Sequence, residues 1–152
     1  MKLPKLNFPH FQFSFRRKEN KLYILDKIRR KYVHLTPEEW VRQNTIAYLT
    51  EEKNFPPSML AIEMSLSINQ LSKRADIVVF KPADKAWLLV ECKAPNIDIN
   101  QKTFEQIVRY NMQLNVEYFM LTNGFRHIFC KLNYQDNSYQ FLKDIPDYRS
   151  SQ

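Results

Sequence analysis

Asp76, Glu91 and Lys93 are the residues of this chain whose types and spacing could do chemistry. They fall in residues 75–95, which read ADIVVF, then KPADKA, then WLLVECKAP. Two β-rich runs flank a short polar segment holding Pro82 and Asp84, the pattern of a hairpin. A turn centred on Ala83 and Asp84 sets Asp76 directly across from Glu91. Directly opposed residues of an antiparallel pair share one face, with Cβ atoms about 5 Å apart. Lys93 lies two residues beyond Glu91 and shares that face, while Cys92 points the other way. Two carboxylates and an amine thus converge at the end of the hairpin farthest from its turn.

Like charges directly opposite on a sheet repel. At about 5 Å and an effective dielectric of roughly 20 to 80, the repulsion is about 1–3 kcal/mol. Asp76→Asn is therefore expected to raise the melting temperature of the metal-free protein. A hard divalent cation gives the arrangement a reason. Mg²⁺, or Mn²⁺ in its place, takes oxygen ligands, and Mg²⁺ is commonly held by one or two carboxylates plus substrate phosphate. A lysine beside such an ion orients a water or stabilises charge developing on phosphorus. On spacing alone, the same residues also fit a surface Lys–Glu pair beside an unrelated Asp.

The elements that must position these residues are legible around them. Thr36 as N-cap, Pro37 at the first helical position and Glu39 at the third form a capping box. The helix is expected to run to about Glu52, before Phe55-Pro56-Pro57. LAIEMSLSIN (60–69) alternates, with Ile62, Met64, Leu66 and Ile68 on one face and Glu63, Ser65 and Ser67 on the other. Glu63 on that polar face can reach the carboxylate cluster, or simply face solvent. Lys73 and Arg74 bring positive charge just before Asp76, where a phosphate needs it. A second helix is expected over about 101–114, with Phe104, Ile107, Val108 and Leu114 toward the sheet. Gln106 and Tyr110 share one side of it at i and i+4, and Arg109 can touch a phosphate or stand exposed. Residues 116–132 read as strand, Asn-Gly turn and strand, with His127 structural rather than catalytic. Residues 133–141 suggest an edge strand, and 142–152 a frayed tail.

The chain's 152 residues suit one domain with a real core. The net charge of +7 is unevenly placed. Residues 1–34 hold ten Lys and Arg against Glu19 and Asp26, and the rest is nearly neutral. A basic N-terminal arm over 1–34 is expected ahead of a single domain over 35–152, with Arg16, Arg17 and Lys18 as phosphate contacts. Such an arm can also serve solubility or an interface. Pro4 and Pro9 argue against helix there, leaving an edge strand or a segment that orders on a partner. Phe8, Phe11, Phe13 and Phe15 can stack on unpaired bases or cover a core. Residues 23–35 suggest a short strand or an irregular element. No apolar run approaches the roughly 20 residues that span a bilayer, and no signal peptide is visible. Two cysteines make no disulfide framework, so a reduced, cytoplasmic setting is expected. Gly124 is the chain's single glycine, which excludes a P-loop and a dinucleotide fingerprint within it.

Asp76 followed by Glu91-Cys92-Lys93 resembles the D…ExK core of the PD-(D/E)XK nucleases. TPEEWVRQ at 36–43, RADIVVF at 74–80, LLVECKAP at 88–95, QIVRY at 106–110 and LTNGFRHIF at 121–129 resemble one branch of it. That branch is the N-terminal nuclease domain of type I restriction enzyme R subunits, and the likeness covers roughly residues 30 to 132. The resemblance implies an α/β, restriction-endonuclease-like mixed central sheet of four to six strands flanked by two main helices. It implies Mg²⁺- or Mn²⁺-dependent hydrolysis of DNA. Asp76, Glu91 and the Cys92 main-chain carbonyl would hold the metal, and Lys93 would position or activate water. It also implies a third acid from the first helix, Glu39 before Glu38, and a QxxxY support from Gln106 and Tyr110. R subunits continue into an ATP-driven translocase, so a fragment or a stand-alone relative is expected, in a larger restriction complex or as a homodimer. The alternative is a non-catalytic nucleic-acid-binding or assembly module on the same fold.

Overall fold

In the computed structural model, residues 2–68 and 70–150 are described. The chain begins with an extended segment and a three-stranded antiparallel sheet of β1 (Phe15–Lys18), β2 (Lys21–Asp26) and β3 (Lys31–His34). Helix α1 (Pro37–Ala47) follows, then a wider π-helical turn over Tyr48–Glu52. Six more strands build the main sheet in the order β4 (Leu60–Ile68), β5 (Leu71–Lys81), β6 (Lys85–Cys92), β7 (Tyr118–Thr122), β8 (His127–Asn133) and β9 (Ser138–Leu142). Neighbours are antiparallel except β6 and β7, which are parallel. Parallel strands need a crossover, and α2 (Gln101–Met112) lies in it. The expected α/β architecture with a mixed sheet is what forms.

Both sheet faces are covered, which is why β6 reads as a near-continuous apolar run. Ile77, Val79, Leu88, Val90 and Met120 pack with Val41 and Leu49 on the α1 side. Val78, Leu89, Phe119 and Leu121 pack with Phe104 and Val108 on the α2 side. Asn100 caps α2 through a 2.9 Å bond from the Thr103 N–H.

The hairpin turn occupies Pro82–Asp84, with Ala83 and Asp84 at φ of 69° and 56°. A bulge between Val79 and Phe80 absorbs one residue, and regular pairing then runs to Ile77↔Val90. That is the register the turn position predicted, one row short of Asp76 and Glu91. The row itself is distorted. Ala75 packs on the α2 side while Ile77, two residues on, packs on the α1 side. Strand alternation therefore slips at Asp76. Across from it, Glu63 has a φ of 53°, and β4 slips likewise: Ile62 joins the α1-side core, Leu66 the α2-side core, and Met64 is exposed. The single apolar face expected for residues 60–69 is thus divided between two sides; Asn69 lies outside the described residues.

The N-terminal segment lies on the body. Leu6 and Phe11 are buried, the Trp40 indole donates to the Pro4 carbonyl at 2.9 Å, and Asn7 N–H donates to the Gly124 carbonyl at 2.8 Å. Phe8 packs on Tyr48 and His127, and Phe13 on Trp40. Phe8, Phe11 and Phe13 thus pack against the body instead of offering faces to bases. The Asn-Gly connection is also longer than a two-residue turn. Thr122 pairs with His127, and Asn123 Oδ1 accepts the N–H groups of Phe125 and Arg126.

Candidate active site

Arg42, on the face of α1 toward the sheet, reaches the distorted row and organises it. Its Nη2 donates to Asp76 Oδ1 at 2.8 Å, and Asp76 Oδ2 accepts the Cys92 N–H at 2.8 Å. Asp76 thus replaces the next ladder bond with its own side chain. In an extended strand the N–H and C=O of one residue face the same neighbour. The Cys92 carbonyl therefore also faces the Asp76 side.

Glu91 turns the other way, toward α2. Its Oε1 accepts from Lys73 Nζ at 3.1 Å, and Lys73 also donates to Asn111 Oδ1 at 2.9 Å. The Tyr110 ring lies under the Lys73 ammonium, 5.2 Å from centroid to nitrogen, and its hydroxyl donates to the Ser72 carbonyl at 3.2 Å. Burial pushes the Glu91 carboxyl above its ordinary range; Lys73 pulls it back and Asp76 adds to the rise. Glu91 Oε2 is buried with no hydrogen-bond partner among the described residues.

The bare, facing pair of carboxylates expected from the hairpin is therefore corrected. Each acid has its own cation, Arg42 for Asp76 and Lys73 for Glu91, because the slip in alternation turns them toward opposite helices. Lys73 neutralises Glu91 instead of waiting for a phosphate. Lys93 is half-buried, anchored by its N–H to the Thr122 carbonyl at 2.8 Å. Its charge lowers the proton affinity of both Glu38 and Glu91, and its ammonium has no ion pair among the described residues.

Glu39, the first choice for a third acid, is committed elsewhere. Thr36 Oγ1 accepts its N–H at 3.0 Å, but the Glu39 carboxylate does not return to the cap. It takes Arg42 at 2.6 Å, Arg29 at 2.8 Å and Gln43 at 3.0 Å. Glu38 is the freer acid, half exposed, touching Arg42 at 3.2 Å. Burial and Asp76 raise its carboxyl above the ordinary range, while Arg42 and Lys93 oppose the rise. Glu63 does reach the cluster, through Arg29 at 2.9 Å and Arg74 at 3.2 Å. Behind it, fully buried Asp26 holds Arg29 at 2.6 Å and Gln43 at 2.9 Å, tying the small sheet to α1.

Gln106 is exposed and shows no contact with these residues; Tyr110 is the half of QxxxY that engages, with Asn111 beside it. Arg109 is exposed on α2, and Arg16, Arg17 and Lys18 are exposed on β1. Arg42 and Asn111 are the functional candidates the sequence reading missed. Arg42 stands three and four residues after the two helix acids, a spacing that signals an ion pair.

Asp76, Glu91 and the Cys92 carbonyl are oxygen donors of the kind a hard divalent ion takes while keeping waters, and sharing one ion requires Glu91 to turn from Lys73 toward Asp76. The orphaned Glu91 Oε2 is the observation that supports the fit. Among the described residues, no three of His, Cys, Asp and Glu stand together as a metal cluster; the Cys92 carbonyl and the half-exposed Glu38 are the candidates for a third protein ligand. No described helix is long and apolar enough to cross a membrane.

No curated relative matches the chain. Among solved structures, one described as a fragment of an HsdR subunit of a type I restriction enzyme from Vibrio vulnificus YJ016 aligns with a TM-score of 0.46 and 20% identity. The alignment covers 72% of this chain and 24% of that one, so this chain spans well under half of its length. The family model described as type I restriction enzyme R protein N terminus (HSDR_N) matches residues 37–146, from the first residue of α1 to beyond β9. That span is most of the chain and includes Asp76, Glu91 and Lys93, so the chain belongs to the family of type I restriction enzyme R protein N termini.

Proposed function

We propose that the chain is a Mg²⁺- or Mn²⁺-dependent DNA endonuclease of the PD-(D/E)XK kind, acting within a larger restriction complex or as a homodimer. One observation carries the proposal. Among the described residues, Lys93 presents an ammonium without an ion pair beside Glu91, whose Oε2 is buried and without a hydrogen-bond partner. Asp76, Glu91 and the Cys92 carbonyl would hold the metal, which would supply charge stabilisation at phosphorus and a lowered proton affinity for bound water. Lys93 donates to the attacking water's oxygen and orients it, or meets a non-bridging phosphate oxygen as negative charge grows there. As the water oxygen bonds to phosphorus and gives up a proton to solvent, the bond to the leaving deoxyribose oxygen breaks and that oxygen takes a proton from solvent. Arg42 fixes Asp76, and Lys73, backed by Asn111 and Tyr110, fixes Glu91. These are positioning roles.

The test is cleavage of supercoiled plasmid with Mg²⁺ or Mn²⁺. Wild type should nick or cut, and Lys93→Ala should not, while still binding DNA. Equal cleavage by both proteins would overturn the assignment. A second reading, a binding or assembly module without turnover, has its own support. Both Asp76 oxygens are already occupied, by Arg42 and by the Cys92 N–H. Failure to cleave duplex, single-stranded and branched DNA, with no metal bound, favours that reading.

A further inference from the structure

The family match starts at residue 37, and the small sheet ahead of it has a face the candidate site does not use. Its inner face is taken. Phe15 lies 6.3 Å from the Trp40 ring, Ile24 is fully buried, and Asp26 bonds Gln43 of α1. The pairings Arg16↔Tyr23, Tyr23↔His34, Lys18↔Lys21 and Leu25↔Tyr32 place the alternate residues together on the outer face.

That outer face mixes rings with cations. Arg16, Lys18, Lys21 and His34 are exposed, and Tyr23 and Tyr32 are half-buried. The Arg16 guanidinium sits 4.1 Å from the Tyr32 ring centroid, and the Tyr23 and His34 rings are 5.8 Å apart. Among residues 15–34, Glu19 is the one exposed acid, because Asp26 is buried against Arg29. A face serving solubility needs charge alone and has no use for two tyrosines and a histidine.

Rings and a stacked guanidinium suit a ligand with flat faces and a negative backbone. Unpaired bases stack on aromatic and arginine planes, and lysines follow the phosphates. A duplex hides those base faces and can use the cations only. Strands about 4.8 Å apart make a three-stranded platform about 10 Å wide, somewhat narrower than the four-stranded aromatic sheets that seat about two or three bases. We propose that the outer face of β1–β3 binds an unpaired nucleic-acid strand, stacking bases on Tyr23, Tyr32 and Arg16 while Lys18 and Lys21 meet its phosphates. The inference deepens the nuclease reading, on which it rests for DNA as partner, by giving the substrate a single-stranded portion.

The test is fluorescence anisotropy of the whole chain in EDTA, with labelled oligothymidylate about 12 nucleotides long and a duplex of equal length. Binding the oligothymidylate at least tenfold more tightly than the duplex supports the proposal. Tyr23→Leu with Tyr32→Leu should weaken single-strand binding tenfold or more and leave duplex binding unchanged. Tyr23→Phe with Tyr32→Phe keeps the rings and should bind like wild type. Lys18→Gln with Lys21→Gln should weaken both ligands and flatten the salt dependence. Equal affinity for the two ligands overturns the proposal, as does single-strand binding that ignores the tyrosines. If the leucine pair melts early, cross-linking of a bromouracil strand to the wild type decides. Adducts at Tyr23, Tyr32 or His34 support the platform, and adducts confined elsewhere overturn it. EDTA keeps cleavage out of the measurement, so failure here leaves the Lys93→Ala comparison standing as a separate result.

Discussion

Arg42 Nη2 lies 2.8 Å from Asp76 Oδ1, so the acid best placed for a metal already has a buried cation against it. Arg42 is itself 6% exposed, with Glu39 accepting at 2.6 Å and the Glu63 carboxylate nearby at 3.7 Å. Burial works against its charge, and the bond it donates to Asp76 together with the charge of Glu39 outweighs that, holding the guanidinium above its ordinary value.

Asp76→Asn should therefore lower the melting temperature of the metal-free protein, the reverse of what two bare carboxylates would give. Removing one partner of a buried pair costs about 3–5 kcal/mol. The Asn amide also cannot serve both Arg42 and the Cys92 N–H as two charged oxygens do. Thermal melts in EDTA check this. A melting temperature equal to wild type or higher would mean that Arg42 does not need Asp76.

Glu38 and Glu39 should separate cleanly. Glu39→Gln weakens bonds to Arg29 and Arg42 and should destabilise the fold by about 1–3 kcal/mol. Mn²⁺ should still raise its melting temperature by as much as it is expected to raise that of wild type. Glu38→Gln touches a half-exposed carboxylate and should barely change the apo melt, while reducing the Mn²⁺-induced shift. Calorimetric titration with Mn²⁺ reads the same difference directly. Unaltered Mn²⁺ binding in Glu38→Gln would remove that acid from the site.

The hairpin and its register were legible in the sequence because a proline-containing turn and the strand period are local signals. The Ile77↔Val90 pairing follows from them. The slip at Asp76 and Glu63 was not legible, because no residue between 60 and 80 announces it: the positive φ falls on a glutamate, not a glycine. That slip decides which helix each acid faces, so Arg42 and Asn111 escaped notice with it. The small sheet was hidden for another reason. Its strands are four to six residues long and heavily charged, and they look like a solvated arm until Ile24 and Asp26 are seen buried. Gln106 rested on the resemblance alone, and its own side chain is exposed, although Phe104 and Val108 beside it are buried.

Gly124 should not tolerate a side chain, because the N-terminal segment packs onto it. It has a φ of +90°, and an added Cβ would stand 2.7 Å from Leu6 Cδ2 and 3.2 Å from Val41 Cγ2. Gly124→Ala is expected to cost about 1–3 kcal/mol through backbone strain, with a further term from displacing Leu6. Denaturant titration of Gly124→Ala, alone and with Leu6→Ala, tests it. If Leu6 carries part of the cost, the two changes will combine less than additively. Strict additivity would assign the whole effect to backbone strain.

His127 gives the protein a pH dependence near neutrality. Its Nε2 lies 2.7 Å from the Asn7 carbonyl, an acceptor, so that nitrogen carries the hydrogen. Its Nδ1 lies 2.7 Å from Thr122 Oγ1, which accepts the Gly124 N–H at 2.9 Å and so gives its own proton to the ring. The network is satisfied by a neutral imidazole. Burial holds His127 below its ordinary value, with the Asn7 carbonyl and Asp144 opposing. The unfolded chain then binds more protons than the folded one as pH falls through the ordinary histidine value of about 6.5. Stability from this site is complete above that value and is lost as pH drops below it, until the folded imidazole also protonates. Glu38 and Glu91, both held above their ordinary range, work in the opposite direction at lower pH, and a change at His127 leaves them in place. His127→Gln should therefore lower stability at pH 7.5, yet lose less than wild type between pH 7 and 5. Urea titrations of both proteins across that range measure the difference. Parallel curves would show that His127 takes up its proton as readily folded as unfolded, and the neutral network at Asn7 and Thr122 would have to be abandoned.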